Sequence, residues 1–403
     1  MKVLRTPDER FADLPDFPYE PRYAEIDGLR LAYVEAGPAA GEPVLLLHGE
    51  PSWSFLYRQV IPVLADAGLR VIAADLIGFG RSDKPADVAD YTYARHVEWI
   101  RAFAFDVLDL RGLTLVGQDW GGLIGLRLLA EHPERFARFV AANTGLPTGD
   151  QPMPDVWLRF REVVRTAPQL RVSRLIQSGC QTTLPQAVLD AYEAPFPDPG
   201  FAAAVRAMPD LVPAEADNPA SEANRRAWSV LTTWDKPFLV AFSDRDPITG
   251  AMGPVLKQLI PGAAGIEHPV LAGAGHFLQE DSGPELGRDI VAFIQRLREQ
   301  RLHEQRLHAT ARLGDHCGAD QAEADPLVDA GHRRVGGGQE HGRDAPVQRV
   351  GGERFGDRRA ETGAAVRGQH ADAGDLRDVT SRLAASGRDR TLRAEGGGDN
   401  RLT

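Results

Sequence analysis

The hexapeptide Gly117-Gln118-Asp119-Trp120-Gly121-Gly122 lies between the apolar run Leu113-Thr114-Leu115-Val116 and a helical stretch over residues 123–132. An apolar run, a glycine-flanked turn and a helix in direct succession read as strand, sharp turn and helix. That is the setting of a nucleophile elbow, in which the central residue stands exposed at the end of a sheet strand. The usual elbow reads Gly-x-Ser-x-Gly; here the third position is Asp119.

A serine at that position attacks a carbonyl. A carboxylate there can displace a leaving group from carbon and leave an alkyl ester on the enzyme. The substitution therefore redirects the chemistry from ester cleavage toward carbon–halogen or epoxide opening. The competing reading of Asp119 is a helix N-cap, a role aspartate fills well. The strand before it, the glycines around it and the partners described below favour catalysis.

Around the elbow, apolar runs alternate with helical patterns. Pro43-Val44-Leu45-Leu46-Leu47-His48, Arg70-Val71-Ile72-Ala73-Ala74-Asp75, Leu113-Thr114-Leu115-Val116-Gly117 and Pro237-Phe238-Leu239-Val240-Ala241-Phe242 suit parallel strands buried on both faces. Residues 58–68, 94–110, 123–131 and 284–298 have helical spacing. Such alternation predicts an α/β fold, a mostly parallel sheet with helices on both faces. Between residues 145 and 228 strand signals fade and helices with Pro-rich turns dominate, which predicts an inserted helical cap. The expected order is core over 1–144, cap over 145–228 and core again over 229–298.

Composition changes near residue 300. From Arg301 onward there is no Lys, Trp or Tyr, and 17 Arg balance 11 Asp and 6 Glu. Glycines cluster and no apolar period persists, so residues 299–403 read as disordered. The same bias would follow from GC-rich codons read out of frame. Six of the 11 His lie in this segment without ligand-like spacing, which makes a metal role there a weak reading.

The net charge of −11 argues against general nucleic-acid affinity. The two cysteines, Cys180 and Cys317, form no Cys-x-x-Cys pair and suggest neither a disulfide scaffold nor a zinc site. The N-terminal residues lack a signal-like apolar core, and no apolar segment approaches the roughly 20 residues needed to span a bilayer. A soluble cytoplasmic enzyme, away from membranes, is expected.

Three further segments complete the predicted chemistry. His276, in Gly273-Ala274-Gly275-His276-Phe277, follows the strand-like Glu267-His268-Pro269-Val270-Leu271, and open α/β sheets place function at such strand ends. Nucleophile, acid and histidine in that chain order suit this elbow. Asp246, in Ser243-Asp244-Arg245-Asp246-Pro247, would orient the imidazole and stabilise its protonated form, with Asp244 as competitor. His48-Gly49-Glu50-Pro51 follows a strand and would supply the Glu50 backbone N–H to an oxyanion hole. The Trp120 N–H would be the second donor. The Trp120 indole N–H is a donor only and suits a halide ion. Trp157 is a candidate second donor from the cap, against the plainer reading that it packs with Phe160 at i and i+3.

With these residues in view, the chain resembles the haloalkane dehalogenases of the α/β-hydrolase superfamily. The resemblance rests on residues 48–58 (His-Gly-Glu-Pro-Ser-Trp-Ser-Phe-Leu-Tyr-Arg), 118–122, 75–85, 194–198 and 275–277. It covers residues 1 to about 298. It implies a covalent alkyl–Asp119 ester, hydrolysed by water that His276 activates with Asp246 behind it. It also implies a small halogenated alkane as substrate, water as co-substrate, alcohol, halide and a proton as products, no cofactor or metal, and a monomer. An acid at Asp246 is similar to the subfamily whose halide is held by two tryptophans. In the register of that subfamily the cap tryptophan falls on Phe160, one helical turn beyond Trp157. An epoxide hydrolase is the nearest alternative, with Tyr192 as the tyrosine available in the cap. A serine-type esterase is disfavoured by Asp119, and an inactive hydrolase-like binding protein by the intact set Asp119, Asp246 and His276.

Overall fold

The computed structural model describes the backbone of residues 1–319 and the side chains through residue 307. Its strands are β1 (Val3–Leu4), β2 (Arg22–Ile26), β3 (Leu29–Ala36), β4 (Pro43–Leu47), β5 (Arg70–Ala74), β6 (Lys84–Pro85), β7 (Leu113–Gln118), β8 (Phe136–Ala142), β9 (Phe238–Val240), β10 (Phe242–Ser243) and β11 (Val270–Leu271). Its helices are α1 (Ile61–Asp66), α2 (Tyr93–Arg101), α3 (Trp120–Glu131), α4 (Asp155–Thr166), α5 (Val172–Gly179), α6 (Gln186–Glu193), α7 (Ala203–Leu211), α8 (Ser221–Leu231), α9 (Met252–Leu259) and α10 (Leu278–Ala319).

A seven-stranded sheet in the order β2-β3-β5-β4-β7-β8-β9 forms the centre. From β5 to β9 every neighbouring pair is parallel, and β2 and β3 add an antiparallel edge. The apolar runs become these buried parallel strands as expected. Val44, Leu45, Leu46 and Leu47 have no exposure, and all of β7 is buried. Three strands of this sheet lay outside the apolar-run reading: β2, β3 and β8. The β2–β3 pair is a hairpin closed by Asp27 and Gly28 at φ 54° and 71°. Both residues in positive φ is the signature of the tight turn that Asp-Gly favours.

Some boundaries differ from the sequence reading for local reasons. The strand expected over 267–271 shortens to β11, because Pro269 has no N–H to give a ladder. The His268 ring instead accepts from the Val240 N–H at 3.1 Å. The helix expected over 94–110 is α2 followed by a π-helical turn, Ala102–Val107. The α10 segment breaks at Ser282, which has φ −146° and ψ 36°. Pro284 then opens the second part, where a missing N–H costs nothing.

A compact unit spans Met1–Gln300. The α10 helix runs on through Ala319, so the first part of the segment expected to be disordered from residue 299 is helical. Its residues 295–307 are nearly all Arg, Leu, Glu and Gln, strong helix formers with no Gly or Pro among them. Leu302 and Leu307 in it are exposed. The remainder of that expectation, and Gly336-Gly337-Gly338 and Gly396-Gly397-Gly398 with it, lies outside the described residues.

Between β8 and β9 there are only helices, α4 to α8. They share one hydrophobic core with the sheet, through Trp157, Ile176, Tyr192 and Met208. The α8 helix lies on α3, where Arg127 donates to Asn224 Oδ1 at 3.2 Å. Thus β4, β7 and β8 all end at one edge of the sheet, with the inserted helices following directly from that edge.

Candidate active site

Asp119 follows β7 at φ 49° and ψ −121°, a conformation an L-residue adopts only under constraint. The glycines make the turn possible. A Cβ on Gly121 would strike the Leu47 carbonyl, and one on Gly49 would strike the Asp119 side chain. The Thr144 hydroxyl donates to the Asp119 carbonyl at 2.8 Å, and the Asp119 N–H donates to the Asn143 carbonyl at 3.1 Å. The elbow is therefore held from β4 on one side and from the end of β8 on the other.

The residues expected to cooperate are brought together. Asp119 Oδ1 accepts the Glu50 backbone N–H at 2.9 Å. Asp119 Oδ2 faces His276 Nε2 at 3.5 Å. On the other side of the imidazole, Nδ1 lies 3.1 Å from Asp246 Oδ2. Of the two candidate acids, Asp246 is the one beside the imidazole. Asp244 turns away and accepts from the Gly273 N–H at 2.7 Å, bracing the loop before His276.

Asp246 is buried and fully engaged. It accepts from the Ile248 N–H at 2.9 Å, the Thr249 N–H at 3.2 Å and the Thr249 hydroxyl. Burial alone would raise its pKa, but the His276 charge and these hydrogen bonds bring it down to about 2. Burial likewise favours neutral His276. The opposing charges and hydrogen bonds of Asp246 and Asp119 outweigh it and lift the imidazole to about 10. The two flanking carboxyl groups thus favour the protonated form of the imidazole against its burial.

The Glu50 side chain is 5% exposed, and its Oε1 has no hydrogen-bond partner among the described residues. Burial first, then the charge of Asp119, pushes this carboxyl well above the usual range against the pull of His276.

The indoles divide into two groups. Trp53, Trp99 and Trp228 donate their N–H to Ala191 O at 3.2 Å, Asp27 Oδ2 at 3.3 Å and Leu146 O at 2.8 Å. The indole N–H groups of Trp120, Trp157 and Trp234 have no such acceptor among the described residues, and that of Trp234 is fully buried. Trp120 is held edge-on by Tyr93, with ring centroids 4.9 Å apart. Trp157 is 6% exposed and belongs to the core, with the Arg161 guanidinium 5.0 Å over its ring. Phe160 is partly exposed and lies outside that core. The α4 helix thus turns Trp157 inward rather than Phe160.

Tyr192 points away from any substrate role. It is fully buried, and its hydroxyl donates to Glu280, which also pairs with Arg58 at 2.5 and 2.7 Å. An epoxide oxygen has no free tyrosine hydroxyl to meet there.

Two further residues, neither given a role by the sequence reading, reach the base loop. Gln118 places its Nε2 3.3 Å from both His276 Nε2 and the His276 carbonyl. Asn143 donates to Ser243 Oγ at 2.8 Å and to the carbonyls of Gly275 and His276 at 2.9 and 3.1 Å. It thereby joins the acid strand to the base loop. Recognising β8 as a strand would have marked Asn143 as a strand-end residue. Among the described residues, no group of three or more His, Cys, Asp or Glu side chains has the arrangement of a metal site.

Comparison with known proteins gives a consistent picture. A family profile described as alpha/beta hydrolase fold matches residues 42–283. The chain is 52% identical over 299 residues to a haloalkane dehalogenase of Psychrobacter cryohalolentis, covering 73% of this chain and 98% of that protein. It is 49% identical over 298 residues to a haloalkane dehalogenase of Mycobacterium marinum, covering 73% of this chain and all of that one. Among solved structures, the tetrameric haloalkane dehalogenase of Paraglaciecola agarilytica superposes with a TM-score of 0.67 at 37% identity, covering 72% of this chain and 97% of that one.

Proposed function

Since the chain belongs to the haloalkane dehalogenases of the α/β-hydrolase fold, we propose which of its residues carry the two steps of carbon–halogen hydrolysis. Its substrates are a halogenated alkane and water. The observation that carries the assignment is the single line of contact from Asp246 through His276 to Asp119, at 3.1 and 3.5 Å.

In the first step Asp119 Oδ2 attacks the halogen-bearing carbon from the side opposite the halogen. The carbon–halogen bond breaks with its electron pair, and the halide leaves toward the indole N–H groups of Trp120 and Trp157. An alkyl–Asp119 ester remains. Desolvation of the carboxylate in a dry pocket raises its reactivity and favours halide transfer to fixed donors. Trp157 is the second donor on this reading, since it is the buried indole of α4.

Esterification removes the Asp119 charge and with it one of the two carboxylates that hold the imidazole pKa up. A neutral His276 then takes a proton from water at Nε2, while Asp246 stabilises the imidazolium that forms. The hydroxide adds to Asp119 Cγ. Oδ1, which already accepts from the Glu50 N–H at 2.9 Å, becomes the oxyanion, and the Trp120 N–H is the second donor. Collapse expels the alcohol and regenerates the carboxylate; the net products are alcohol, halide and a proton. The helices within residues 145–228 act as the cap that closes over these donors.

Finer attributes are proposed with this chemistry. A monomer is proposed, with few large apolar side chains exposed within residues 2–300 (Tyr23, Val88, Val107, Leu158, Val163, Val270). Light scattering giving a tetramer, as in the Paraglaciecola structure, would overturn that assembly. No described helix is long and apolar enough to cross a membrane. Cytoplasmic placement is checked by cell fractionation, with activity in the periplasmic fraction as the contrary result.

Bromide and proton release from a short 1-bromoalkane, with an epoxide run in parallel, tests the residue assignment. Bromide release that Asp119→Ala abolishes supports it. Epoxide turnover without bromide would shift the chemistry, and bromide release surviving in Asp119→Ala would remove the nucleophile.

A further inference from the structure

We propose that Asp281 is a positioning residue for the base, tying the loop that carries His276 to the cap so that cap backbone sets where the imidazole stands. The inference rests on His276 acting in the second step, as proposed above.

The chain around His276 is held on both flanks by one short cap segment. Gly275, just before the histidine, donates its N–H to Asp281 Oδ2 at 2.8 Å. The same carboxylate accepts from the cap: the Gln181 N–H at 2.9 Å and the Thr182 N–H at 2.7 Å. Phe277, just after the histidine, donates its N–H to the Gly179 carbonyl at 3.3 Å. Gly179 ends α5, so residues 179–182 engage both neighbours of His276.

The two backbones meet closely enough to require glycine on each side. A Cβ on Gly275 would strike the Gly179 carbonyl oxygen. A Cβ on Gly179 would lie 2.7 Å from the Phe277 ring and 3.5 Å from His276 Cβ. The residue before Asp281 adds a second tie, since Glu280 accepts from Tyr192 of α6 and pairs with Arg58. The first turn of α10 thus grips two cap helices immediately after the base loop.

A carboxylate accepting several backbone N–H groups makes charge-assisted bonds, stronger than neutral ones. Their loss frees Gly275 and the Gln181–Thr182 turn from each other. Nucleophilic attack by Asp119 needs no proton transfer and tolerates a displaced imidazole. Water activation does not, because a shift of about 1 Å can cost about a hundredfold in rate. Asp281 should therefore govern ester hydrolysis and leave alkylation alone, a split that a general loss of fold would not produce.

Rapid-quench kinetics with a short 1-bromoalkane test this. Asp281→Asn keeps one acceptor oxygen; it should give a bromide burst at the wild-type rate, then turnover slowed about tenfold. Asp281→Ala, which keeps none, should slow turnover up to about a hundredfold, with the alkyl adduct on Asp119 accumulating in the mass spectrum. Gly179→Ala presses on the same seam from the cap and should show the same split. Turnover per burst site equal to wild type, or burst and turnover falling in parallel, would overturn the proposal. His276→Phe in the same series separates the two claims: a burst without turnover upholds the base, and normal turnover would remove both.

Discussion

Asp119, Asp246 and His276 stand just beyond strands, whereas Trp157 and Phe160 stand on a face of α4. The strand ends are fixed by paired backbones: Gly117 is in register with Leu47 on one side and Ala141 on the other. A residue one position past such a strand has little freedom, and the motif that names it also places it. On a helix, residues three apart are neighbours separated by about 4.5 Å along the axis. A halide donor can then move by one turn without disturbing the fold. On the proposed reading, the base side of the site is built from motif, and the halide side from whichever side chain the cap's packing turns inward.

Substitutions on the two sides should separate in size. Asp119→Ala removes the bond-forming atom and should lower bromide release at least about ten-thousandfold, read by halide electrode. Asp246→Asn leaves the imidazole without its counter-charge and should slow turnover about a thousandfold while the bromide burst persists. A loss of the burst would place Asp246 in the first step instead. On the cap, Trp157→Phe should cost about ten- to a hundredfold in kcat/KM, the range of one hydrogen bond to a charged group. Phe160→Leu should cost less than about twofold. The reverse order would return the halide donor to the register of the subfamily with two tryptophans.

The charges at the strand ends also predict a pH dependence that the cap lacks. His276 is raised from an ordinary 6.5 to about 10, so its contribution to stability is full below about pH 6.5 and is lost as pH rises through about 10. Asp246 is lowered to about 2, so its contribution holds above its unfolded value and is lost as pH falls through about 2. Denaturant titrations between pH 6 and 10 should show the alkaline decline. Asp119→Asn should flatten it by removing one of the two charges. An unchanged slope in that variant would mean Asp119 does not hold the imidazolium. The smallest effect is expected outside this comparison altogether: removing residues 301–403 should leave activity per folded molecule unchanged.

What the sequence made legible follows the same division. The proximity of Asp119, His276, Asp246 and the Glu50 N–H was readable because each lies in a short motif after a strand-like run. The β2–β3 hairpin was overlooked although its Asp27-Gly28 turn is a strong local signal; its strands alternate buried and exposed residues and lack a continuous apolar run. The bonds made by Asn143 and Asp281 were not readable. Each acts on residues far away in the chain, Asn143 on Gly275 and Asp281 on Gln181, through side-chain bonds that no spacing announces. Trp157 was identified as a candidate, but its competition with Phe160 depended on helix rotation, which periodicity alone does not fix. The helical residues 300–307 show the opposite limit, where local propensity sustains a helix whose side chains are exposed.

The most direct test of the assignment is the mass of the peptide containing Asp119 after His276→Phe protein meets a short 1-bromoalkane. Alkylation requires only Asp119 and a halide acceptor, and hydrolysis requires the imidazole. The account predicts one alkyl group per molecule, on Asp119, with a single equivalent of bromide released. An unmodified Asp119, or full turnover without the imidazole, would contradict it.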